Sequence, residues 1–410
     1  MVADLAIFGG RPAFTEPLYV GRPNLGDRER FLARVNDILD RRYFTNGGPY
    51  EVAFERRIAE LAGVSHCVAV ANATIGLEIA IRATGLSGEV IVPSFTFVAT
   101  AHALQWQQIT PIFCDIDPHT YTLDPDRVEE LITPRTSGII GVHLWGRSCD
   151  IDGLSALARR YGLKLLFDAA HALACSHRGV MIGSFGDAEV FSFHATKFIN
   201  SFEGGAIVTN SDELAHRARL MRNFGFVGYD EVDHIGINGK MTEISAAMGL
   251  TSLESLDEIV AANRRNHYAY ARGLRDVPGI TLVTYDEAER CNYQYAVILV
   301  DPRAAGLERD QIYRLLHAEN VVARRYFHPG CHRLEPYRSS QPSAGQRLPV
   351  TERVSGEVLA LPTGSTVREE DVDRVCSVLR MAVQESARVR EWWRQATLPE
   401  AADPAVAHVI

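Results

Sequence analysis

The feature that most restricts what this chain can fold into is an alternation between residues 67 and 168. Short, continuously apolar runs are separated by stretches of helical periodicity. Cys67–Val70, Val90–Val92, Pro111–Cys114, Gly138–Val142 and Leu163–Phe167 read as strands, the last ending at Asp168. Helices are expected over Leu77–Ala83, on through Ala103, over Pro125–Leu131 and over Ile151–Tyr161. Strands that are apolar throughout, rather than alternating, belong in a parallel sheet covered on both faces. The expectation is therefore an α/β layered fold. Ligands of such sheets bind outside the carboxyl ends of the strands. That draws attention to three polar turns: Asn72–Gly76, Pro93–Phe97 and Asp168–His171.

Composition excludes several alternatives. A length of 410 residues suits two domains. The net charge of -9 and the lack of a long Lys/Arg run argue against a nucleic-acid surface. The first residues carry an early acid and no basic region, so they do not read as a signal peptide. No uninterrupted apolar run is long enough to span a bilayer. The seven cysteines are scattered without a Cys-x-x-Cys pair, which predicts a reducing, cytoplasmic setting and no metal site. Cys67, Cys114 and Cys175 read as small core residues.

The remaining chain divides as an arm over 1–25, a large domain over 26–255, a small α+β domain over 256–390 and a tail over 391–410. Glu243 to Ala262 reads as one long helix at the domain change. Ile280–Val283 and Tyr295–Val300 read as antiparallel strands, and Val321–Phe327 as another. Thr366-Val-Arg-Glu369 reads as a capping box opening a helix. The tail after Leu398 is Ala/Pro/Asp-rich and reads as loose.

One stretch suggests chemistry. Phe191-Ser-Phe-His-Ala-Thr-Lys197 leaves a strand, and a polar turn leads to Gly204-Gly205 and a second apolar run. Burial disfavours an ammonium, so a lysine here would gain nucleophilicity. A lone loop lysine is ordinarily just solvated. Asp168 changes the balance, because a carboxylate closing an apolar strand calls for a partner. A lysine and an acid so held suit pyridoxal phosphate, bound as a Schiff base with the acid on its pyridinium nitrogen. Backbone N–H groups at the Asn72–Gly76 helix start suit its phosphate, Ser192 could add a hydroxyl, and Phe97 could cover the ring. Each residue also has a plainer reading: Asp168 or Thr74 as a helix cap, and His171 or Phe97 as core.

Phe167-Asp-Ala-Ala-His-Ala172, Gly183-Ser-Phe-Gly-Asp187, the Lys197 stretch and Glu203-Gly-Gly205 together resemble the DegT/DnrJ-type sugar aminotransferases, from about residue 20 to 385. The resemblance implies the PLP-dependent transferase fold of type I: a large domain with a mostly parallel seven-stranded sheet between helices, plus a smaller α+β C-terminal domain. It implies that Lys197 carries pyridoxal 5'-phosphate and shuttles the proton, and that Asp168 pairs with the ring nitrogen. Ala73, Thr74, Ile75 and Ser192 would bind the phosphate, Phe97 would stack, and His171, where glutamine is common, would contact the ring's phenolic oxygen. Asn238, in Ile237-Asn-Gly-Lys-Met-Thr-Glu-Ile244, would reach the neighbouring subunit's phosphate in a homodimer with shared active sites. Lys240 stands where arginine is common, which weakens any bidentate contact there. Tyr326, His328 and His332 are tentative substrate residues with Lys240.

The implied reaction is ping-pong, with an amine form of the cofactor (PMP) between the halves and glutamate as the donor by family habit. The acceptor is a nucleotide-linked keto-sugar. Asn292-Tyr-Gln-Tyr295 and Arg325-Tyr-Phe-His-Pro-Gly330 look most like enzymes acting at C4 of a dTDP-4-keto-6-deoxyhexose. A 3-keto-sugar or cyclitol aminotransferase and a non-catalytic or regulatory homologue are the competing readings.

Overall fold

A computed structural model describes residues 4–395. Its centre is a seven-stranded sheet in the order His66–Val70, Gly205–Thr209, Ala188–Ser192, Lys164–Asp168, Thr136–Val142, Glu89–Pro93 and Thr110–Cys114. All strands run parallel except Gly205–Thr209, which is antiparallel to both neighbours. The apolar runs follow from burial on both faces. Ile91, Ile139 and Phe167 face one core, while Val90, Val92 and Ile140 face the other.

Register sets the carboxyl edge. Asp168 lies beside Val190, and Gly205 lies between Ser192 and Val70. The turns carrying Thr74, Phe97, Asp168 and Lys197 therefore leave the sheet at one edge. Gly205 matters sterically here: a Cβ added to it would fall 2.7 Å from the Ala73 nitrogen. Only glycine lets the 72–73 turn lie so close to the sheet.

A three-stranded antiparallel sheet, Ile280–Leu282, Ala296–Val300 and Val358–Leu361, forms a second layer. It shares a core with Tyr270, Leu316 and Leu379 from the helices Leu256–Leu274, Arg309–Ala318 and Glu369–Gln384.

The N-terminal arm is more than an extended lead. Leu5 and Phe14 are buried in this second core, and Leu18–Tyr19 pairs in parallel with Val321–Val322. The expected strand over Val321–Phe327 thus shortens to the two residues the arm can pair. The expected helix Glu243–Ala262 is two helices, Glu243–Glu254 and Leu256–Leu274. The backbone leaves helical geometry at Ser255 (φ −100°, ψ 13°). The second helix then passes from the first core at Leu256 and Ile259 to the second at Tyr270. The capping box at Thr366–Glu369 is replaced by one two residues on, where the Asp371 carboxylate accepts the Arg368 N–H at 3.1 Å. Asp371 is the acid that can reach back over the turn. The tail after Leu398 lies outside the described residues. Among the described residues no helix is long and apolar enough to cross a membrane.

Candidate active site

Lys197 follows the strand Ala188–Ser192 in a tight turn closed by its own N–H donating to the His194 carbonyl at 2.8 Å. Part of the residue stays accessible, but its surroundings desolvate the amine. Burial brings its pKa from 10.5 down to about 8, against the opposing charge of Asp168. The acid and the amine therefore sense one another, and a useful fraction of the amine is neutral near physiological pH.

Asp168 is buried at the end of Lys164–Asp168. One carboxylate oxygen accepts from the Thr100 hydroxyl at 2.8 Å, the other from the Ala170 N–H at 3.1 Å. No helix follows, so the helix-cap reading of Asp168 does not hold. Both oxygens keep lone pairs, because a carboxylate offers about four acceptor sites. Thr100 was invisible in the sequence: it is one threonine in the short helix Ala99–Gln105, marked out only by packing.

His171 is buried, and burial with the nearby Lys197 charge pushes its pKa well below 6.5. It is therefore neutral, which answers a question that spacing alone left open. Its tautomer is fixed as well. The Trp145 backbone N–H donates to Nδ1 at 3.3 Å, leaving the proton on Nε2, which lies 3.3 Å from the Tyr295 hydroxyl. The ring stacks on Phe327 at 5.8 Å and an interplanar angle of 12°. Asn292 donates to the His171 carbonyl at 2.9 Å and Gln294 donates to it too. The Asn292–Tyr295 stretch thus builds the wall behind the histidine.

The helix Ala73–Thr84 begins at the same edge. Its cap is Asn72, whose side chain accepts from the Ile75 N–H at 2.9 Å, so Thr74 is not the cap. That bond occupies the Ile75 donor expected to face a phosphate. The Ala73 and Thr74 N–H groups have no intrahelical partner and point out of the positive helix end. Ser192, opposite Gly205, stands beside this turn.

Phe97 is 57% exposed, so its ring face is free to cover a flat ligand. It borders a cleft of about 250 Å³ lined also by Tyr313, Arg324, Tyr326, Phe327 and His328. Burial raises the Tyr326 pKa and lowers that of His328, so both are neutral near pH 7. A larger cleft of about 650 Å³, between Arg57, Glu60, Leu250 and Asp257, contains none of these groups.

Among the tentative substrate residues, His332 is a correction. It is buried, with Nδ1 2.7 Å from Ser94 Oγ and Nε2 2.7 Å from Glu352, so both ring nitrogens are engaged inside the protein. Lys240 donates to Asn223 Oδ1 at 3.0 Å and lies 4.8 Å from the Phe224 ring centroid. Burial and Arg222 lower its pKa. Asn238 is exposed, beside Gly239, whose carbonyl accepts from the Ala71 N–H at 2.8 Å.

The sequence matches the DegT/DnrJ/EryC1/StrS aminotransferase family over residues 26–380. The chain belongs to that family. This aminotransferase is 36% identical over 367 residues to dTDP-4-amino-4,6-dideoxy-D-glucose transaminase of Shigella dysenteriae, covering 89% of this chain and 99% of the relative. It is 36% identical to GDP-perosamine synthase of Caulobacter vibrioides, over 88% of this chain and 96% of the relative. Its fold superposes on crystalline DesI, studied with its TDP-sugar product, at a TM-score of 0.92 and 50% identity, covering 96% and 100% of the two chains. DesV of S. venezuelae, solved with a ketimine intermediate, superposes at 0.81 with 31% identity, covering 87% and 95%. The aminotransferase thus has the type I fold expected from the motifs.

Proposed function

We propose that this aminotransferase uses pyridoxal 5'-phosphate to move an amino group from an amino acid, glutamate in the first instance, to C4 of a dTDP-4-keto-6-deoxyhexose. The observation that carries the reading is a lysine held at a pKa of about 8 by burial, electrostatically paired with a buried carboxylate. The dTDP-sugar named for the Shigella relative and the TDP-sugar product named for DesI support the choice of acceptor.

The residues present fit the cofactor. Ala73 and Thr74 offer free N–H groups at a helix start, Ser192 a hydroxyl, and Phe97 an open aromatic face. Once bound, the cofactor supplies an aldehyde for covalent attachment and a ring that accepts electrons from the reacting carbon. Lys197, neutral in part at pH 7 to 8, is the residue that would hold the cofactor covalently and would move the proton at the reacting carbon. Asp168, held by Thr100 and Ala170, would keep a proton on the pyridine nitrogen. His171, neutral and protonated at Nε2, would offer that N–H to the ring oxygen. Arg324 lines the aromatic cleft, and among the described residues its guanidinium makes no hydrogen bond or ion pair, so it is free to meet a phosphate.

A second copy of the chain completes the site. Phe224, Phe226, Val227, Val232 and Ile235 are exposed along one loop, and Tyr229 on it is 101% exposed. Solvent-facing apolar residues at this density favour a partner surface, and Asn238 at the loop's end would reach the partner's phosphate.

The test is direct. Purified protein with cofactor, glutamate and a dTDP-4-keto-6-deoxyhexose should yield a sugar whose C4 bears nitrogen by NMR. Nitrogen at C3, or turnover only with a cyclitol, would replace the acceptor. Lys197→Ala should lose at least about four orders of magnitude in turnover. Undiminished turnover in that variant would end the reading.

A further inference from the structure

We infer that Asn24 is a positioning residue for Lys197, an amide pin that holds the lysine turn between the N-terminal arm and the C-terminal layer. The inference rests on Lys197 being the cofactor-bearing residue. Asn24 is 4% exposed, and its carbonyl, its side-chain oxygen and its side-chain nitrogen are all hydrogen-bonded. Its Nδ2 donates to the Phe198 carbonyl at 3.0 Å, one residue past the lysine. Its own carbonyl accepts from Asn200 Nδ2 at 2.9 Å. Its Oδ1 accepts from the Ser365 N–H at 3.0 Å and from the Ser365 hydroxyl at 2.7 Å.

Three segments far apart in sequence therefore meet on one side chain. The arm arrives from the pairing of Leu18–Tyr19 with Val321–Val322 and passes Thr196 closely. A Cβ added to Gly21, at φ +75°, would fall 3.0 Å from the Thr196 Cβ. On its far side the lysine turn is held by Asn200, whose N–H donates to Ser252 Oγ at 3.2 Å. The Ser365 loop is rigid in turn, because buried Asn266 donates to the carbonyls of Gly364 and Val367, both at 3.1 Å. Asn24 is thus anchored on a fixed post and reaches the backbone next to Lys197.

The physical consequence is specific. Lysine chemistry at this pH depends on keeping the amine desolvated, and that depends on where the turn sits. Releasing the Phe198 carbonyl leaves a buried acceptor unpaired, and the turn will move to find water. A shift of about an ångström at a reacting group is enough to slow chemistry strongly.

The experiment compares holoenzymes of Asn24→Ala, Asn24→Asp and Ser365→Ala with wild type. The main readout is the pH titration of the bound cofactor's absorbance, with kcat, KM and thermal stability alongside. Asn24→Asp keeps the acceptor for Ser365 but loses the donor to Phe198. Asn24→Ala and Asn24→Asp should both displace the titration midpoint by about one pH unit and cut kcat about tenfold, with KM for the keto-sugar within about twofold. Ser365→Ala should act in the same direction and less. Unchanged midpoints and kcat in Asn24→Asp and Ser365→Ala, with only melting temperature lowered, would overturn the inference, whether or not Asn24→Ala folds. A wild-type holoenzyme in which borohydride fixes no cofactor on Lys197 would instead overturn the assignment of Lys197 itself.

Discussion

The ring end of the site and the loop over residues 224–240 are built on opposite plans. At the ring end the site residues are held by contacts within the chain. Asp168 is held by Thr100 and Ala170, His171 by Trp145 and Asn292, and the Lys197 turn by Asn24. At the loop the chain leaves Phe226 and Tyr229 facing solvent and Asn238 reaching outward. The lesson is that electrostatic preorganisation, which needs fixed dipoles and low dielectric, is supplied within one protomer. In the proposed dimer, closure of the phosphate end would fall to association, which needs apolar surface rather than fixed geometry.

Asp168→Asn cuts deepest into the self-contained half. The amide can still accept from Thr100, so the fold should persist, while the ring nitrogen loses its charge partner. Steady-state kinetics should register a fall in kcat of about two to three orders of magnitude. A loss under threefold would mean the ring end does not work as described.

The loop half is tested by Phe226→Ser combined with Tyr229→Ser. Sedimentation should move the protein from dimer toward monomer, and specific activity should drop about tenfold on dilution, as mass action requires. A monomer of full activity would erase the contrast between the two regions.

The third test concerns the lysine's proton. With its pKa lowered to about 8 from 10.5, Lys197 is mostly protonated below pH 8 and mostly neutral above it. The rate of cofactor attachment to stripped protein should rise about tenfold per pH unit up to the pKa and then level. A midpoint near that of a free lysine would show that burial does not tune this amine.

His171→Gln is the mildest change. A neutral Nε2–H donor is replaced by a neutral amide donor, so stopped-flow measurement of the glutamate half-reaction should stay within about threefold of wild type. A much larger loss would mean the imidazole does more than donate one hydrogen bond.

Much of this was legible beforehand. Val90–Val92 and Gly138–Val142 are apolar throughout because both sheet faces are covered, and that pattern alone implied an α/β fold. Asp168 and Lys197 stood out because a charge closing an apolar strand needs a reason. Other features were not legible. Thr100, Asn24 and Trp145 look ordinary in sequence, and they matter only through contacts with residues 68, 174 and 26 positions away. His332 misled because a histidine beside substrate-like motifs gives no sign of turning inward to Ser94 and Glu352. The break at Ser255 misled because helical periodicity continues across it while the core it faces changes.

Sequence by itself determined the layering, the sheet edge where chemistry sits, and the lysine–acid pair, because burial periodicity and charge are local properties of a chain. Tertiary structure alone decided the state of those groups: the amine near pKa 8, the neutral His171 with its proton on Nε2, and the pin through Asn24. Desolvation and hydrogen-bond partnership depend on which distant segments meet, and only the folded chain brings them together.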